Sequence, residues 1–235
     1  MSEEERWVLV VHEPRVEAAL RLLAPWRGRV YSMLDIGCGD GSVTALVAEA
    51  VGAERVYGVD IDAERLGEAG RRGVRVFNVD ASRDPIPLPG SSLDLVTSFE
   101  VIEHLLDPDH MLDEAWRLLR TGGLLLVTTP NLGSWVNRLI LAAGYQPYTA
   151  EVSARRMYGV PFKGGSYGSR PSGHIRPFTL RALREIVEAH GFRIERVAGA
   201  PGVEPRNKLF NLIDSMFARL PGLARRLVVL AVKDS

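Results

Sequence analysis

The sequence predicts a doubly wound α/β fold, in which helices cover both faces of a mostly parallel sheet. Short, nearly continuous apolar runs alternate with amphipathic segments of helical period, and a glycine-rich turn separates the first run from the first such helix. Such strands are typical of a parallel sheet that is buried on both faces. Of the 235 residues, 46% are apolar and 25% charged, as in an ordinary globular protein. We therefore expect residues 1–235 to form a single domain.

Each element has its own local signal. Apolar spacing predicts an N-terminal helix from Val16 to Ala24, and Asp107 and Thr179 are expected to cap two later helices. The helix that carries the stripe from Leu209 to Leu220 is expected to pack that stripe into the core. The β-rich runs predict seven strands: Val30–Gly37, Arg55–Ile61, Val74–Asp80, Leu93–Phe99, Leu124–Pro130, Phe192–Gly199 and Arg226–Asp234.

Charge and cysteine content exclude several classes of protein. Lys+Arg and Asp+Glu both number 29, so no net field attracts nucleic acid or an anionic membrane. Cys38 is the single cysteine, which excludes an internal disulfide and fits a cytoplasmic protein. The acidic N-terminal segment does not have the pattern of a signal peptide, and no run reaches the ~20 apolar residues of a membrane-spanning helix.

The stretch Leu34–Thr44, LDIGCGDGSVT, is the most informative motif, because it joins the first strand to the next helix. In an open parallel sheet such a turn lies at the carboxyl edge, where these folds bind ligands. Gly37, Gly39 and Gly41 let the backbone approach a ligand closely. A dinucleotide-binding turn needs G-x-G-x-x-G, but Ser42 occupies the third glycine position, which weakens the dehydrogenase hypothesis.

Acidic residues end the next two strands. Asp60 ends the second strand, where a carboxylate can accept hydrogen bonds from both ribose hydroxyls of a nucleoside. Asp80 ends the third strand. Either carboxylate alone is more simply interpreted as a solvated turn or a helix cap. Together with the glycine turn, they indicate a nucleoside-binding edge.

The motifs L-D-I-G-C-G-D-G, G-V-D-I-D, N-V-D-A and L-D-L-V-T-S-F-E-V-I-E-H-L together resemble the class I S-adenosylmethionine-dependent methyltransferases. The resemblance covers Val30 to Pro130 closely. It implies the strand order 3-2-1-4-5-7-6, with the seventh strand antiparallel. It also implies that S-adenosyl-L-methionine is the cofactor. By this resemblance, Asp35, Gly37, Gly39 and Gly41 line its methionine and sulfonium part, and Phe99 borders the methionine end. Asp60 holds the ribose, Ile61 packs on the adenine face, and Asp80 and Ala81 contact the adenine edge.

The segment SFEVIEHL follows the fourth strand, where the acceptor is expected to meet the methyl group. Glu100, Glu103 and His104, together with the distant His174, resemble the metal-binding set of metal-dependent small-RNA 2′-O-methyltransferases. Such a set can bind Mg²⁺ and polarise a hydroxyl. The simpler interpretation is that these residues order the turn, and we expect no metal. We expect His174, His104 and Glu100 to act in catalysis.

Residues 131–178 interrupt the alternation of strands and helices for far longer than the ~2–6 residues usual in α/β connections. We expect this insertion to form an acceptor-binding lid, with a lid helix over Trp135–Gly144. Its only histidine, His174, is the candidate general base. Trp135, Arg138, Tyr158 and Arg176 are expected to line the acceptor cavity.

These observations predict a cytoplasmic, S-adenosylmethionine-dependent methyltransferase. We expect it to act on an oxygen of a small molecule or of a glycan or lipid precursor. A metal-dependent RNA 2′-O-methyltransferase is one alternative, which the neutral charge and the lack of a basic stripe disfavour. A cofactor-binding regulator without catalysis is the other, and it would be favoured if no cavity lay beside the methyl group.

Overall fold

The structure is a computed structural model that describes residues 13–161, 170–202 and 208–234. The N-terminal segment 1–12 and residues 162–169 of the predicted insertion lie outside the described residues. Within them, seven strands form one sheet in the order β3-β2-β1-β4-β5-β7-β6. The strands are β1 (Ser32–Ile36), β2 (Arg55–Asp60), β3 (Arg75–Asn78), β4 (Leu93–Phe99), β5 (Leu119–Pro130), β6 (Phe192–Ala200) and β7 (Arg226–Lys233).

The strand pairings confirm the predicted topology. The neighbouring pairs among β1 to β5 are parallel, whereas β7 is antiparallel to both β5 and β6. An antiparallel β7 begins at the edge where the parallel strands end. Its first residue, Arg226, therefore pairs with Pro130 at the end of β5.

Helices cover both faces of the sheet, as expected. In β1, Met33 packs with the helices Pro14–Leu23 and Ser42–Val51 on one face, while its neighbour Leu34 packs with the helices Pro108–Leu118 and Leu180–Ala189 on the other. None of the described helices is both long enough and apolar enough to cross a bilayer. The helices are α1 (Pro14–Leu23), α2 (Ser42–Val51), α3 (Ala63–Arg71), α4 (Pro108–Leu118), α5 (Trp135–Ala142), α6 (Leu180–Ala189) and α7 (Lys208–Ala218), with short 3₁₀ turns at Ala24–Trp26 and Ile102–His104.

Local capping chemistry begins two of the helices where the sequence predicted. The Asp107 carboxylate accepts a hydrogen bond from the His110 amide, and the Thr179 hydroxyl accepts one from the Ala182 amide. Each side chain thereby satisfies an amide that the first helical turn leaves unpaired.

Two predictions about elements were wrong. Strand β5 begins at Leu119 rather than Leu124, because Leu119 is buried and pairs with Leu93 directly after α4 ends. The apolar stripe of α7 does not pack into the core as a unit. The side chains of Leu209, Leu212, Met216 and Leu220 are each more than half exposed, and the helix instead contacts α5 through Phe210 and Phe217.

The two ends of the insertion 131–178 meet beside the sheet. Asn131 forms a parallel bridge with Phe178, and the Leu132 amide donates to the Phe178 carbonyl. The buried Asn131 side chain also donates to the Ala224 carbonyl, just before β7. The insertion is therefore a long loop whose two ends are joined at the carboxyl edge of the sheet.

Candidate active site

Two adjoining cavities open at the carboxyl edge of the sheet. The first, of about 700 Å³, lies over the glycine turn. The second, of about 500 Å³, lies under the insertion. Both are lined by Glu13, Arg15, Glu100 and His104. The first cavity brings together most of the predicted cofactor residues: Asp35, Gly37, Gly39, Asp60, Ile61, Asp80, Ala81 and Phe99.

The glycine turn forms one wall of the first cavity. Gly37 has φ +75°, and a Cβ there would collide with the Val101 side chain. Gly41 also has a left-handed backbone but is not among the lining residues, since its missing Cβ makes room for Ala69 of α3. Close contact with the Val101 side chain therefore explains Gly37, and packing of the turn against α3 explains Gly41.

Asp35 is a buried carboxylate at the bottom of the first cavity, with 2% of its surface exposed. It accepts hydrogen bonds from the hydroxyls of Thr44 (2.6 Å) and Thr97 (2.8 Å). Burial raises its pKa to about 6, although the two hydroxyls oppose this shift. A carboxylate ionised at neutral pH in such surroundings suits a cationic ligand such as a sulfonium.

Asp60 connects the end of β2 to the glycine turn. Its Oδ2 accepts a hydrogen bond from the Gly39 amide (2.8 Å), and its Oδ1 accepts one from the Asp62 amide (2.9 Å). Each carboxylate oxygen can accept a second hydrogen bond, so the group retains acceptor capacity towards ribose hydroxyls. The adjacent Ile61 side chain is 68% exposed at the cavity, which leaves an apolar face available for an aromatic ring.

Asp80 lies at the far end of the same cavity. Its Oδ1 accepts a hydrogen bond from the Ser82 amide, and its Oδ2 lies 3.1 Å from Nε of Arg83. Ala81 follows it along the lining, and Phe99, which is almost buried, borders the cavity from the end of β4. The residues present therefore offer oxygen acceptors and apolar faces of the kind that a nucleoside requires.

The second cavity brings Glu103, His104 and His174 together. One ligand atom from each lies within 4.8 Å of the others, and the two imidazole centroids are 5.0 Å apart. Glu103 is only 1% exposed, and its Oε2 accepts a hydrogen bond from the Thr129 hydroxyl. Its Oε1 has no hydrogen-bond partner among the described residues and lies 3.8 Å from Nε2 of His104. A buried, unpartnered carboxylate oxygen beside two imidazoles can receive a proton or a cation.

Glu100 is held apart from this group. It has φ +57°, a left-handed backbone that is uncommon for a non-glycine residue. Its carboxylate accepts hydrogen bonds from Arg226 (2.6 Å) and from the Thr128 hydroxyl (3.1 Å). The Glu100 carboxylate is therefore engaged by Arg226 and Thr128 rather than by the two histidines. The predicted catalytic role of Glu100 stays a prediction.

Burial shifts the pKa values of His174 and Glu103 in opposite directions. It lowers the pKa of His174, and the nearby His104 adds to this effect while Glu151 opposes it. It raises the pKa of Glu103 well above its ordinary value, with the charge of Glu100 adding to the shift. A neutral imidazole at neutral pH can accept a proton from a substrate.

The lining of the second cavity differs from the prediction. Trp135, Arg138, Tyr158 and Arg176 are not among its lining residues. Trp135 packs on α7, and the guanidinium groups of Arg138 and Arg176 donate to backbone carbonyls instead. Other arginines and another tyrosine line the cavity. Tyr148 and Arg170 belong to the insertion, whereas Arg15, Arg225 and Arg226 lie outside it.

Sequence reasoning also missed Glu151, which lines the second cavity and contacts His174. Nothing in the local pattern distinguishes this glutamate from a surface residue. A signal did exist for Arg226. Since an antiparallel seventh strand must begin at the carboxyl edge, the resemblance alone indicated that the start of β7 lies beside the site.

Comparison with known proteins identifies the family. A family model described as "Methyltransferase domain" matches residues 12–197. A Mycobacterium tuberculosis protein named "Probable S-adenosylmethionine-dependent methyltransferase" is 38% identical over 197 residues, covering 80% of this chain and 68% of that protein. A similarly named protein of Mycolicibacterium smegmatis is 32% identical over 71% of this chain, which spans 54% of that relative. A "Ubiquinone biosynthesis O-methyltransferase" of Sinorhizobium medicae is 32% identical over 51% of this chain and 46% of its own.

Solved structures agree on the fold. An S-adenosylmethionine-dependent methyltransferase from Mesorhizobium loti superimposes with a TM-score of 0.64 at 20% identity, covering 93% of this chain and 97% of that one. The motifs at the carboxyl edge, the strand order and the family match lead to one conclusion. This chain belongs to the S-adenosylmethionine-dependent methyltransferase family, and its cofactor is S-adenosyl-L-methionine.

Proposed function

We propose that this protein methylates an oxygen atom of a hydroxylated small molecule, or of a glycan or lipid precursor. The observation that carries the proposal is the second cavity, which adjoins the cofactor cavity and contains His174. A regulator that only bound the cofactor would need no such space. The similarity to a ubiquinone biosynthesis O-methyltransferase supports an oxygen acceptor. The single cysteine supports a cytoplasmic location.

The lining of the second cavity favours an acceptor that carries several hydroxyl groups. Ser134, Asn137 and Thr149 contribute hydrogen-bonding side chains from the insertion, and Glu151 and Ser172 add to them. A volume of about 500 Å³ lies within the range of small-molecule sites. We assign the insertion 131–178 as the acceptor-binding lid on this basis.

In the cofactor cavity, the roles we assign follow from the chemistry of each group. The anionic Asp35 stabilises the cationic part of the cofactor, Gly37 and Gly39 admit its methionine part, and Phe99 borders it. Asp60 accepts hydrogen bonds from the ribose hydroxyls. Ile61 packs on the adenine ring, while Asp80 and Ala81 contact its edge.

The reaction requires little covalent participation by the protein. S-adenosylmethionine supplies a methyl group activated by a positively charged sulfur. His174 removes the acceptor hydroxyl proton while the oxygen–carbon bond forms and the carbon–sulfur bond breaks, which leaves a neutral thioether. Most of the acceleration comes from holding the acceptor in line with the methyl group, and the base adds to it.

The test begins with a screen of catechols, simple sugars and hydroxy acids, using S-adenosylmethionine labelled at the methyl group. With an acceptor that is turned over, His174→Ala should lower kcat by ~10²–10⁴ because the general base is lost. Cofactor affinity, measured by calorimetry, should stay unchanged. His110→Ala is the control, since His110 lines neither cavity. Full turnover by the His174→Ala protein would contradict the proposal.

A second candidate is a metal-dependent methyltransferase in which Glu103, His104 and His174 hold a divalent cation. The convergence of one ligand atom from each within 4.8 Å favours it. Such a cation would polarise the acceptor hydroxyl directly. Under our first proposal, EDTA should leave turnover unchanged. Activity that EDTA abolishes and Mg²⁺ or Mn²⁺ restores would favour the second candidate, and binding to a small RNA would then be the next measurement.

A further inference from the structure

Glu151 forms hydrogen bonds with the backbone of residues 172–174 in the same insertion, beside the His174 ring. Its side chain is only 5% exposed, although it lies in a loop. Its Oε1 accepts a hydrogen bond from the Ser172 amide (2.7 Å), and its Oε2 accepts bonds from the amides of Gly173 (2.8 Å) and His174 (3.3 Å). The same Oε1 lies 3.5 Å from Nδ1 of the His174 ring.

We propose that Glu151 is the positioning residue for His174, and that its carboxylate orients the imidazole for proton removal from the acceptor. This inference rests on the proposed function, because it needs His174 to act as the base. It assigns Glu151 a role in the reaction beyond its contribution to the cavity lining.

The first step of the argument concerns the ring nitrogens. An anionic oxygen beside Nδ1 stabilises the neutral imidazole form that carries its proton on Nδ1. The other nitrogen, Nε2, is then the acceptor. The 3.5 Å separation is slightly longer than a hydrogen bond, and Nδ1 has no other hydrogen-bond partner among the described residues. A movement of a few tenths of an ångström closes this bond, and catalytic hydrogen bonds commonly tighten when substrate binds.

The second step concerns the backbone around His174, which is held from both sides. Glu151 binds the amides of residues 172–174, while the Glu103 carbonyl accepts hydrogen bonds from the amides of Ile175 (2.8 Å) and Arg176 (3.0 Å). A further contact of 3.0 Å joins Nδ1 of His104 to the Gly173 carbonyl. The backbone contacts fix the position of His174, which leaves the orientation of its ring to the Glu151 carboxylate.

The competing explanation is that Glu151 only staples the loop. Three amide hydrogen bonds to one carboxylate are sufficient for such a role. The two explanations differ in one respect. A positioning residue acts through His174 and loses its effect on turnover when the imidazole is removed, whereas a staple affects the site with or without the imidazole.

A double-mutant cycle separates them, using Glu151→Gln, His174→Ala and the combined variant with the acceptor found in the screen. We expect Glu151→Gln alone to lower kcat by ~10–100-fold, as is typical when the partner of a functional histidine is lost. In the His174→Ala background it should change kcat by less than about twofold. Glu195→Gln, on the exposed side of β6, is the matched control.

The ring itself provides a readout that needs no acceptor. Nitrogen-15 NMR of the full chain with bound S-adenosylhomocysteine should show His174 protonated on Nδ1 in the wild type and a mixture of tautomers in Glu151→Gln. If Glu151→Gln does not fold, Glu151→Asp, which keeps the charge, takes its place. We expect it to retain the tautomer and more than a tenth of the wild-type kcat.

The outcomes are distinct. Equal losses of kcat from Glu151→Gln with and without His174 would overturn the inference in favour of a staple. A normal kcat and tautomer in Glu151→Gln, together with low turnover in His174→Ala, would overturn the inference and leave the proposed function intact. Full turnover in His174→Ala would overturn both.

Discussion

At the scale of single residues, Asp35 is a buried carboxylate whose ionisation lowers the stability of the fold. Burial raises the pKa of this carboxyl to about 6, above the ~3.9 of an unfolded chain. The folded protein therefore binds the proton more tightly than the unfolded chain does. The contribution of Asp35 to stability is present below about pH 4 and is lost as the pH rises to about 6. At neutral pH the ionised group remains in the first cavity, where a bound cation would offset the cost of its burial.

We predict that Asp35→Asn uncouples stability from cofactor binding. Without cofactor at pH 8, the variant should be as stable as the wild type or more stable, by up to about 3 kcal/mol, because the buried charge is gone. It should bind cationic S-adenosylmethionine much more weakly, but neutral S-adenosylhomocysteine nearly as well. Urea unfolding and calorimetry measure these effects. Equal losses of affinity for both ligands would argue against a charge interaction, and Asp113→Asn, on the exposed side of α4, serves as a surface control.

At the scale of elements, the contact between α5 and α7 anchors the insertion. The Trp135 ring stacks against Phe217 with centroids 5.0 Å apart, and its indole N–H donates to the fully buried Asp214 (2.7 Å). The second oxygen of Asp214 accepts a hydrogen bond from the Gly202 amide. The sequence suggested that Trp135 contacts the acceptor, whereas the structure shows that it joins α5 to α7.

We predict that Trp135→Phe lowers the free energy of unfolding by ~1–3 kcal/mol, because it removes a donor from a buried carboxylate. The aromatic packing survives, so the acceptor KM should change little. Urea unfolding and steady-state kinetics measure the two effects. Trp116→Phe, on the half-exposed side of α4, is the control. A large rise in the acceptor KM with unchanged stability would instead show that Trp135 contacts the acceptor.

At the scale of the whole molecule, the first cavity is lined by residues at the ends of β1, β2, β3 and β4. A ligand that contacts the ends of four strands binds the folded state and not the unfolded chain. Binding at one hundred times its Kd should therefore stabilise the protein by about 2.7 kcal/mol. For a domain of this size, that corresponds to a rise in Tm of roughly 5–10 °C.

We predict that S-adenosylhomocysteine produces this shift in the wild type and a much smaller one in Asp60→Asn at the same concentration. The variant loses a charged acceptor, which should weaken binding by ~1–3 kcal/mol. Asparagine keeps the size of the side chain, which limits disturbance of the Gly39 contact. Scanning calorimetry gives the Tm values, and Asp113→Asn is an exposed control. An undiminished shift in Asp60→Asn would show that the ribose assignment is wrong.

The sequence predicted correctly those features that depend on interactions between residues near each other in the chain. Apolar period, the capping residues Asp107 and Thr179 and the runs of β-branched residues act within one element, and the structure confirms the elements that they predict. The strand order came from the resemblance carried by the motifs. The α7 stripe was misjudged because Leu212 and Phe217 have the same apolar character, and periodicity does not show which of the apolar residues on the helix are covered.

The sequence by itself determined the fold class and most of the predicted residues that meet in the first cavity, because these follow short motifs at the ends of consecutive strands. Only the tertiary structure decided which charged groups meet in the second cavity. Glu100 pairs with Arg226 from the far end of the chain, and Glu151 reaches His174 across the insertion. Such pairs depend on the direction of β7 and on the path of a long loop. Charged residues that are distant in sequence meet only where the fold brings them together. The residues around each of them therefore do not predict its partner.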